Sequence, residues 1–356
     1  MTETMTIATL ARPEIRALHA YAVAASPDDA IRLNANEAPL AIGTDVAEGL
    51  NRYPALRPAP LTAKMAAHYG VSPEYVLVTR GSSEGIDLLI RTFCTAGRDS
   101  VLLTSPTFEM YEIYASIQGA RSIKVPLQAD RDFSVGTDAL LSACNKKTKL
   151  IFLCSPNNPV GTVIPREKIL RIVQSRAGKS VVVVDEAYIE YSGIDSLAPL
   201  VSRYDNLVVL RTLSKALALA GARCGAVIAS AGLIRLLDSI LAPYAVSSPV
   251  IASAEHALSE KQLAEARNLI NGTTAERERL RVELAACNAV QRIWPSKANF
   301  LLVRFTNLQR IGRCLENAGI AVRTFAGDAA LRDCARITVA SKAHNDRLIN
   351  AVRSFD

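Results

Sequence analysis

Apolar positions along the chain fall into short β-type runs at 75–79 (YVLVT), 101–104 (VLLT), 122–126, 150–154, 181–184, 207–210 and 226–229. Most are continuously apolar rather than alternating, as expected of strands covered on both faces of a mostly parallel sheet. Between several of them, 61–69, 84–93 and a segment from Phe108 carry apolar residues at helical spacing. The helix predicted at 84–93 follows Gly81-Ser82-Ser83, which reads as a serine-capped start.

The pattern changes near residue 250, where Pro243, Ser247, Ser248 and Pro249 interrupt it. Beyond that point 251–287 predicts one long charged helix or a helix pair. Residues 300–305 and 336–339 predict strands with a helix between them. Residues 1–45 read as an irregular arm around one amphipathic piece at 15–21. The expected organisation is an N-terminal arm (1–45), a large α/β domain (46–250) and a smaller α+β domain (251–356) packing with the arm. A length of 356 residues suits such a two-domain body. No internal repeat interrupts this order.

Composition narrows the class. With 49% hydrophobic residues the chain buries a full core, which excludes wholesale disorder and small disulfide scaffolds. Seven cysteines, scattered and odd in number, and four isolated histidines show no metal-ligand spacing. Reduced thiols in a cytoplasmic protein without a metal site are expected. The net charge of +7 is mild, and its densest knot, Asn145-Lys146-Lys147-Thr148-Lys149, simply precedes an apolar run without aromatics. No nucleic-acid partner is therefore expected. The N-terminus lacks a basic start followed by an apolar core, so it does not read as a signal peptide. Residues 216–234 hold a single charge, Arg223, but are rich in Gly and Ala. A central Arg costs about 2.5 kcal/mol or more on insertion, so no membrane span is expected.

The chemistry gathers where the predicted strands end, which is where open α/β sheets bind ligands. Ser155-Pro156-Asn157-Asn158-Pro159 follows 150–154, and Asp185-Glu186-Ala187-Tyr188 follows 181–184. Arg211-Thr212-Leu213-Ser214-Lys215 follows 207–210, and Arg80-Gly81-Ser82-Ser83 follows 75–79. Singly, each has an ordinary structural reading as a cap, a turn or a solvated lysine. Together they fit pyridoxal 5′-phosphate. That cofactor needs an amine beside apolar residues, supplied by Lys215, and a carboxylate on its ring nitrogen, supplied by Asp185. Tyr188 and Asn158 suit its ring oxygen. Ser82 and Ser83 at a helix start, with Ser214 and Arg223, suit its phosphate. Phe108 offers a ring face to stack on, although a core role fits it equally well.

On these motifs, and on Leu33-Asn34-Ala35-Asn36-Glu37, Arg52-Tyr53-Pro54 and Arg336-Ile337-Thr338-Val339, the sequence resembles the fold-type I pyridoxal-phosphate aminotransferases of the class II subgroup. Within them it is similar to the histidinol-phosphate aminotransferase group from about residue 33 onward. The Ser-Lys pair with an Arg eight positions later is Ser214, Lys215 and Arg223. The resemblance implies a mostly parallel sheet sandwiched by helices plus a small C-terminal domain. It also implies a homodimer with shared active sites, in which Tyr53 reaches the partner subunit's cofactor phosphate. Lys215, Asp185 and Tyr188 would be the catalytic residues, with Lys215 carrying the cofactor and the proton. Arg336, Arg323, Tyr21 and Asn36 would bind substrates: histidinol phosphate in one half-reaction, 2-oxoglutarate or glutamate in the other. Transamination of aromatic amino acids and decarboxylation of threonine phosphate are alternatives on the same scaffold; a DNA-binding regulator would need a segment this length barely allows. The chain departs from the group's pattern at Ser82-Ser83 (commonly Ala-Asp), Phe108 (Tyr), Val160 (Thr) and Ala222 (Leu).

Overall fold

The computed structural model describes residues 7–21, 34–42 and 50–355; Leu33 of the first motif lies outside the described residues. Seven strands form the main sheet: β1 (Val76–Thr79), β2 (Ser100–Ser105), β3 (Arg121–Pro126), β4 (Thr148–Cys154), β5 (Val181–Asp185), β6 (Leu207–Thr212) and β7 (Gly225–Ala229). Their order is β1-β7-β6-β5-β4-β2-β3. β7 alone runs against its neighbours, antiparallel to β1 and β6, while β6, β5, β4, β2 and β3 pair in parallel. The sheet is mostly parallel, as the runs predict.

The helices are α1 (Pro13–Arg16), α2 (Ala59–Tyr69), α3 (Gly81–Phe93), α4 (Met110–Ile117), α5 (Thr137–Ala143), α6 (Arg166–Ser175), α7 (Ala231–Asp238), α8 (Ser248–Ala257), α9 (Glu260–Ala285), α10 (Leu308–Asn317) and α11 (Lys342–Arg353). Alternate strand residues point to opposite faces, so each strand feeds two cores. Ile151, Leu153, Val182 and Val184 pack with Leu61 and Met65 of α2 and Ile169 and Ile172 of α6. Leu150, Phe152, Val181 and Val183 pack with Ile86 and Leu89 of α3, Tyr111 of α4 and Leu233 of α7. Burial on both faces explains why these strands read as unbroken apolar runs.

A separate antiparallel sheet has the order β10-β11-β9-β8, from β8 (Val290–Ile293), β9 (Phe300–Phe305), β10 (Arg323–Thr324) and β11 (Cys334–Thr338). Leu280 and Leu284 of α9, Ile311 and Leu315 of α10 and Leu348 and Val352 of α11 bury its inner face. Among the described residues no helix is long and apolar enough to cross a membrane.

Of three local expectations, two are corrected and one, the helix pair at 251–287, holds. The amphipathic piece at 15–21 is only the end of one short turn, α1, with Tyr21 exposed. The span 251–287 holds two helices, α8 and α9, broken at Leu258-Ser259. The third concerns the helix at 84–93, which starts at Gly81, so Ser82 and Ser83 lie in its first turn and Arg80 is the cap residue. No serine closes it. Instead Glu84 accepts from the Arg80 amide at 2.7 Å, one turn of side chain returning to an otherwise unpaired donor.

Candidate active site

The carboxyl ends of β4, β5 and β6 lie side by side, and the loops leaving them meet the N-terminus of α3 around a cavity of about 190 Å³. Ser82, Ser83, Phe108, Asn158, Asp185, Tyr188, Ser214, Lys215 and Arg223 all line it, with Cys154, Ala187, Thr212 and Ala220. Residues far apart in sequence converge because parallel strands direct every carboxyl end to one edge.

Asp185 ends β5 and is 3% exposed. Its Oδ2 accepts from Tyr111 Oη at 2.7 Å and its Oδ1 from the Ala187 amide at 3.1 Å. Burial raises its pKa, opposed first by the Tyr111 hydrogen bond and then by the Ala187 amide and the Lys215 charge. Lys215 follows β6. Desolvation lowers its pKa, and the positive charges of Arg336 and Arg223 lower it further. Tyr191 Oη donates to the Lys215 carbonyl at 3.1 Å, fixing the backbone that carries the amine.

Asn158 and Tyr188 face each other, Nδ2 to Oη at 3.4 Å. Asn157 organises that loop: its Oδ1 accepts from the Val160 amide at 3.2 Å and its Nδ2 donates to the Pro106 carbonyl at 3.3 Å. Arg336 of β11 donates to Asn158 Oδ1, and its guanidinium lies 5.4 Å from the Phe300 ring centroid. The small sheet thus contributes an arginine to a site built by the large one.

Arg223 closes the other end. It adopts φ +56°, a left-handed conformation costly for a side-chain-bearing residue, and donates to Ser214 Oγ at 3.3 Å. A Cβ on Gly81 would come within 2.8 Å of Arg223 Nη2, so the guanidinium rests against the start of α3. Gly225 lets that start sit on β7. A Cβ there would lie 2.9 Å from Gly81 C and Ser82 N and 2.7 Å from the Arg211 carbonyl.

Behind the cavity Arg211 is 5% exposed and pairs with Glu190 at 2.7 Å and Glu186 at 3.6 Å, 4.6 Å from the Tyr69 ring centroid. Glu186 also accepts from the Leu197 amide at 2.8 Å. These contacts clamp the turn that presents Tyr188.

The remaining expected residues lie outside the cavity lining. Tyr53 is half-exposed and stacks on Tyr244 at 4.5 Å, with its amide donating to Glu37 at 2.8 Å. Tyr21 and Asn36 are exposed, Asn36 at φ +54°. Arg323 is ion-paired at 3.0 Å with Glu109, the residue after Phe108. Tyr111, Cys154 and Glu109 are not singled out from the sequence, while Arg211 and Gly225 stand in or beside the motif after 207–210 with no role assigned. Only Tyr111 carries a signal, its three-residue spacing from Phe108 in a segment expected to be helical from Phe108 onward, although α4 itself begins at Met110.

The residues present fit pyridoxal 5′-phosphate. One end of the cavity holds first-turn amides of a helix, serine hydroxyls and a guanidinium, a donor set for a dianion. The other end holds a buried carboxylate bonded by neutral donors, a partner for a protonated ring nitrogen. An amine with a lowered pKa lies along the same cavity. Fold and site together define a fold-type I pyridoxal-phosphate enzyme.

The sequence matches the model of the aminotransferase class I and II family over residues 21–352. It is 44% identical to the histidinol-phosphate aminotransferase of Xylella fastidiosa (strain Temecula1), covering 99% of this chain and 98% of that protein. Identity to the same-named protein of Xanthomonas campestris pv. campestris is 42%, over 98% of each. The fold matches the crystal structure of histidinol-phosphate aminotransferase from Sinorhizobium meliloti in complex with pyridoxal-5′-phosphate, with a TM-score of 0.77, 26% identity, and coverage of 86% of this chain and 84% of that one. The chain belongs to the class I and II aminotransferases, in the group of the histidinol-phosphate aminotransferases.

Proposed function

We propose that the protein transfers the amino group of L-histidinol phosphate to 2-oxoglutarate, giving imidazole-acetol phosphate and glutamate, a step of histidine biosynthesis. The observation that carries the reading is the convergence of Lys215, Asp185 and the Ser82–Ser83–Arg223 cradle on one cavity, in a chain whose relatives bear that activity in their names. Bound pyridoxal phosphate supplies an electron sink that stabilises negative charge on the carbon bearing the transferred amine.

Lys215 Nζ takes the proton from that substrate carbon and later returns a proton, acting as base and then acid. Its lowered pKa leaves the amine neutral to lower pH than an ordinary lysine, the form a base requires. Asp185 holds the ring nitrogen's proton, and Tyr188 and Asn158 hold the ring oxygen. Ser82, Ser83, Ser214 and Arg223 hold the cofactor phosphate, with Phe108 on the ring face. Arg336 takes a substrate anion, helped by Arg323, Tyr21 and Asn36. Guanidinium geometry accepts a phosphate in one half-reaction and a carboxylate in the other. In this reading two chains pair in the cytoplasm, Tyr53 serves the partner subunit's site, and the arm (1–45) and the small domain (251–356) close over the large one (46–250).

The test supplies histidinol phosphate, phenylalanine or threonine phosphate, each together with 2-oxoglutarate, to the loaded enzyme and follows glutamate and CO₂. Glutamate formed fastest from histidinol phosphate, and absent with Lys215→Ala, supports the reading. A preference for phenylalanine, CO₂ from threonine phosphate, or an undiminished rate in K215A overturns it.

A further inference from the structure

One buried side chain touches both the aromatic wall of the cavity and its carboxylate. Tyr111 on α4 is completely buried. Its ring stacks on Phe152 of β4, with centroids 4.8 Å apart and planes 13° apart, and meets Phe108 edge-on at 5.6 Å and 86°. Its hydroxyl donates to Asp185 Oδ2 at 2.7 Å. We propose that Tyr111 is a positioning residue for the cofactor ring: its phenol holds Asp185 ionised and oriented, and its ring edge locates Phe108. The inference rests on Asp185 as partner of the ring nitrogen and Phe108 as its stacking face.

A carboxylate buried this deeply is driven toward its neutral form by loss of hydration. Neutral, it no longer holds a positively charged ring nitrogen. The groups facing Asp185 are Tyr111 from α4, Cys154 from the end of β4, Ala187 and Tyr188 beyond β5 and Lys215 beyond β6. Burial keeps the Cys154 thiol and the Tyr188 phenol protonated. Lys215 is committed to moving a proton, and its own charge is disfavoured by desolvation and two arginines. Tyr111 and the Ala187 amide are then the fixed hydrogen-bond donors to the carboxylate. Burial and the adjacent carboxylate push the Tyr111 phenol well above its ordinary pKa, so it remains a donor throughout the neutral range. Hydrogen bonds to a charged acceptor are among the strongest a protein makes. The packing serves the same end, because a phenol held between Phe152 and Phe108 has little freedom to turn from Oδ2.

The experiment uses the loaded enzyme and the pH midpoint of its bound cofactor's visible absorption, with cofactor loss on dialysis as a second readout. Tyr111→Phe keeps both ring contacts and removes the hydroxyl. Less positive charge on the ring nitrogen lets the group conjugated with it keep its proton to higher pH. The Y111F midpoint should therefore rise by about one unit, with cofactor retention about tenfold weaker, on the scale of one charged hydrogen bond. Phe152→Leu loosens the same packing but leaves the hydroxyl, and should lower the melting temperature while displacing the midpoint by much less than Y111F does. A wild-type midpoint in Y111F, or an equal displacement in F152L, overturns the proposal. Should Y111F fail to accumulate, Tyr111→Met reads the same quantity, and no displacement there overturns it too. Asp185→Asn separates the two claims. An undisplaced midpoint in D185N removes Asp185 from the ring nitrogen and takes the inference with it; displacement in D185N without displacement in Y111F refutes the role of Tyr111 alone.

Discussion

Arg323, on the edge strand of the small sheet, donates from Nη2 to both carboxylate oxygens of Glu109, at 3.0 and 3.1 Å, across 214 residues of sequence. Glu109 directly follows Phe108, which lines the cofactor cavity. An anionic substrate that engages Arg323 must displace this carboxylate. Glu109→Gln should lower the KM for the phosphorylated donor by up to about fivefold at an unchanged kcat, the scale of one exposed ion pair. Added salt should shrink the difference. Steady-state kinetics at two ionic strengths checks both, and equal KM values would show that the donor's phosphate is read elsewhere.

Arg211 is enclosed with Glu186, Glu190 and Tyr69, and its removal strands two carboxylates in a dry setting. Arg211→Ala should cost about 3–5 kcal/mol, the usual penalty for breaking a buried pair from one side. Denaturant titration measures it. A loss below 1 kcal/mol would mean that water or rearrangement relieves the acids.

Gly225 is required by close approach. An added Cβ would press within 3.0 Å of backbone atoms of Arg211, Gly81 and Ser82, none of which is a flexible side-chain end. Gly225→Ala should destabilise by about 1–3 kcal/mol and displace the first turn of α3. Weakened cofactor binding at little change in KM for the amino donor is the expected signature. Equilibrium dialysis against pyridoxal phosphate tests it.

Asp185 gives a pH prediction with a definite sign. Its folded pKa lies above the ordinary 3.8 because burial disfavours the charge. The contribution it makes to stability is then complete below the unfolded pKa and is lost as pH rises through the raised folded value. In the cofactor-free protein at pH 7, Asp185→Asn should therefore be stabilising, by about 1 kcal/mol, while turnover collapses. The gain should vanish toward pH 3. Melting curves of both proteins across that range decide it, and an asparagine variant less stable at neutral pH would contradict the sign.

Much of this arrangement is legible in one dimension because strand ends carry function in open α/β sheets. Asp185, Lys215 and Asn158 stand immediately beyond apolar runs, so once those runs are strands in a parallel sheet their convergence on one edge follows. The seven β-type runs predicted between 75 and 229 correspond to β1–β7, since burial on both faces leaves a compositional mark. The one charge in the apolar stretch 216–234, Arg223, stands beside Ser214 at the cavity.

Other relationships have no local trace. Tyr111 and Asp185 are separated by 74 residues, Arg336 and Asn158 by 178, and no spacing rule links them. The closeness of Gly225 to Ser82 depends on β7 running antiparallel between β1 and β6, a strand order that identical apolar runs leave open. Local pattern determined the seven strands of the main sheet and the polar groups that sit at their ends, because those follow from burial and backbone geometry a few residues wide. Only the tertiary structure decided which donor faces which acceptor, because that is set by strand order and side-chain packing across the whole fold.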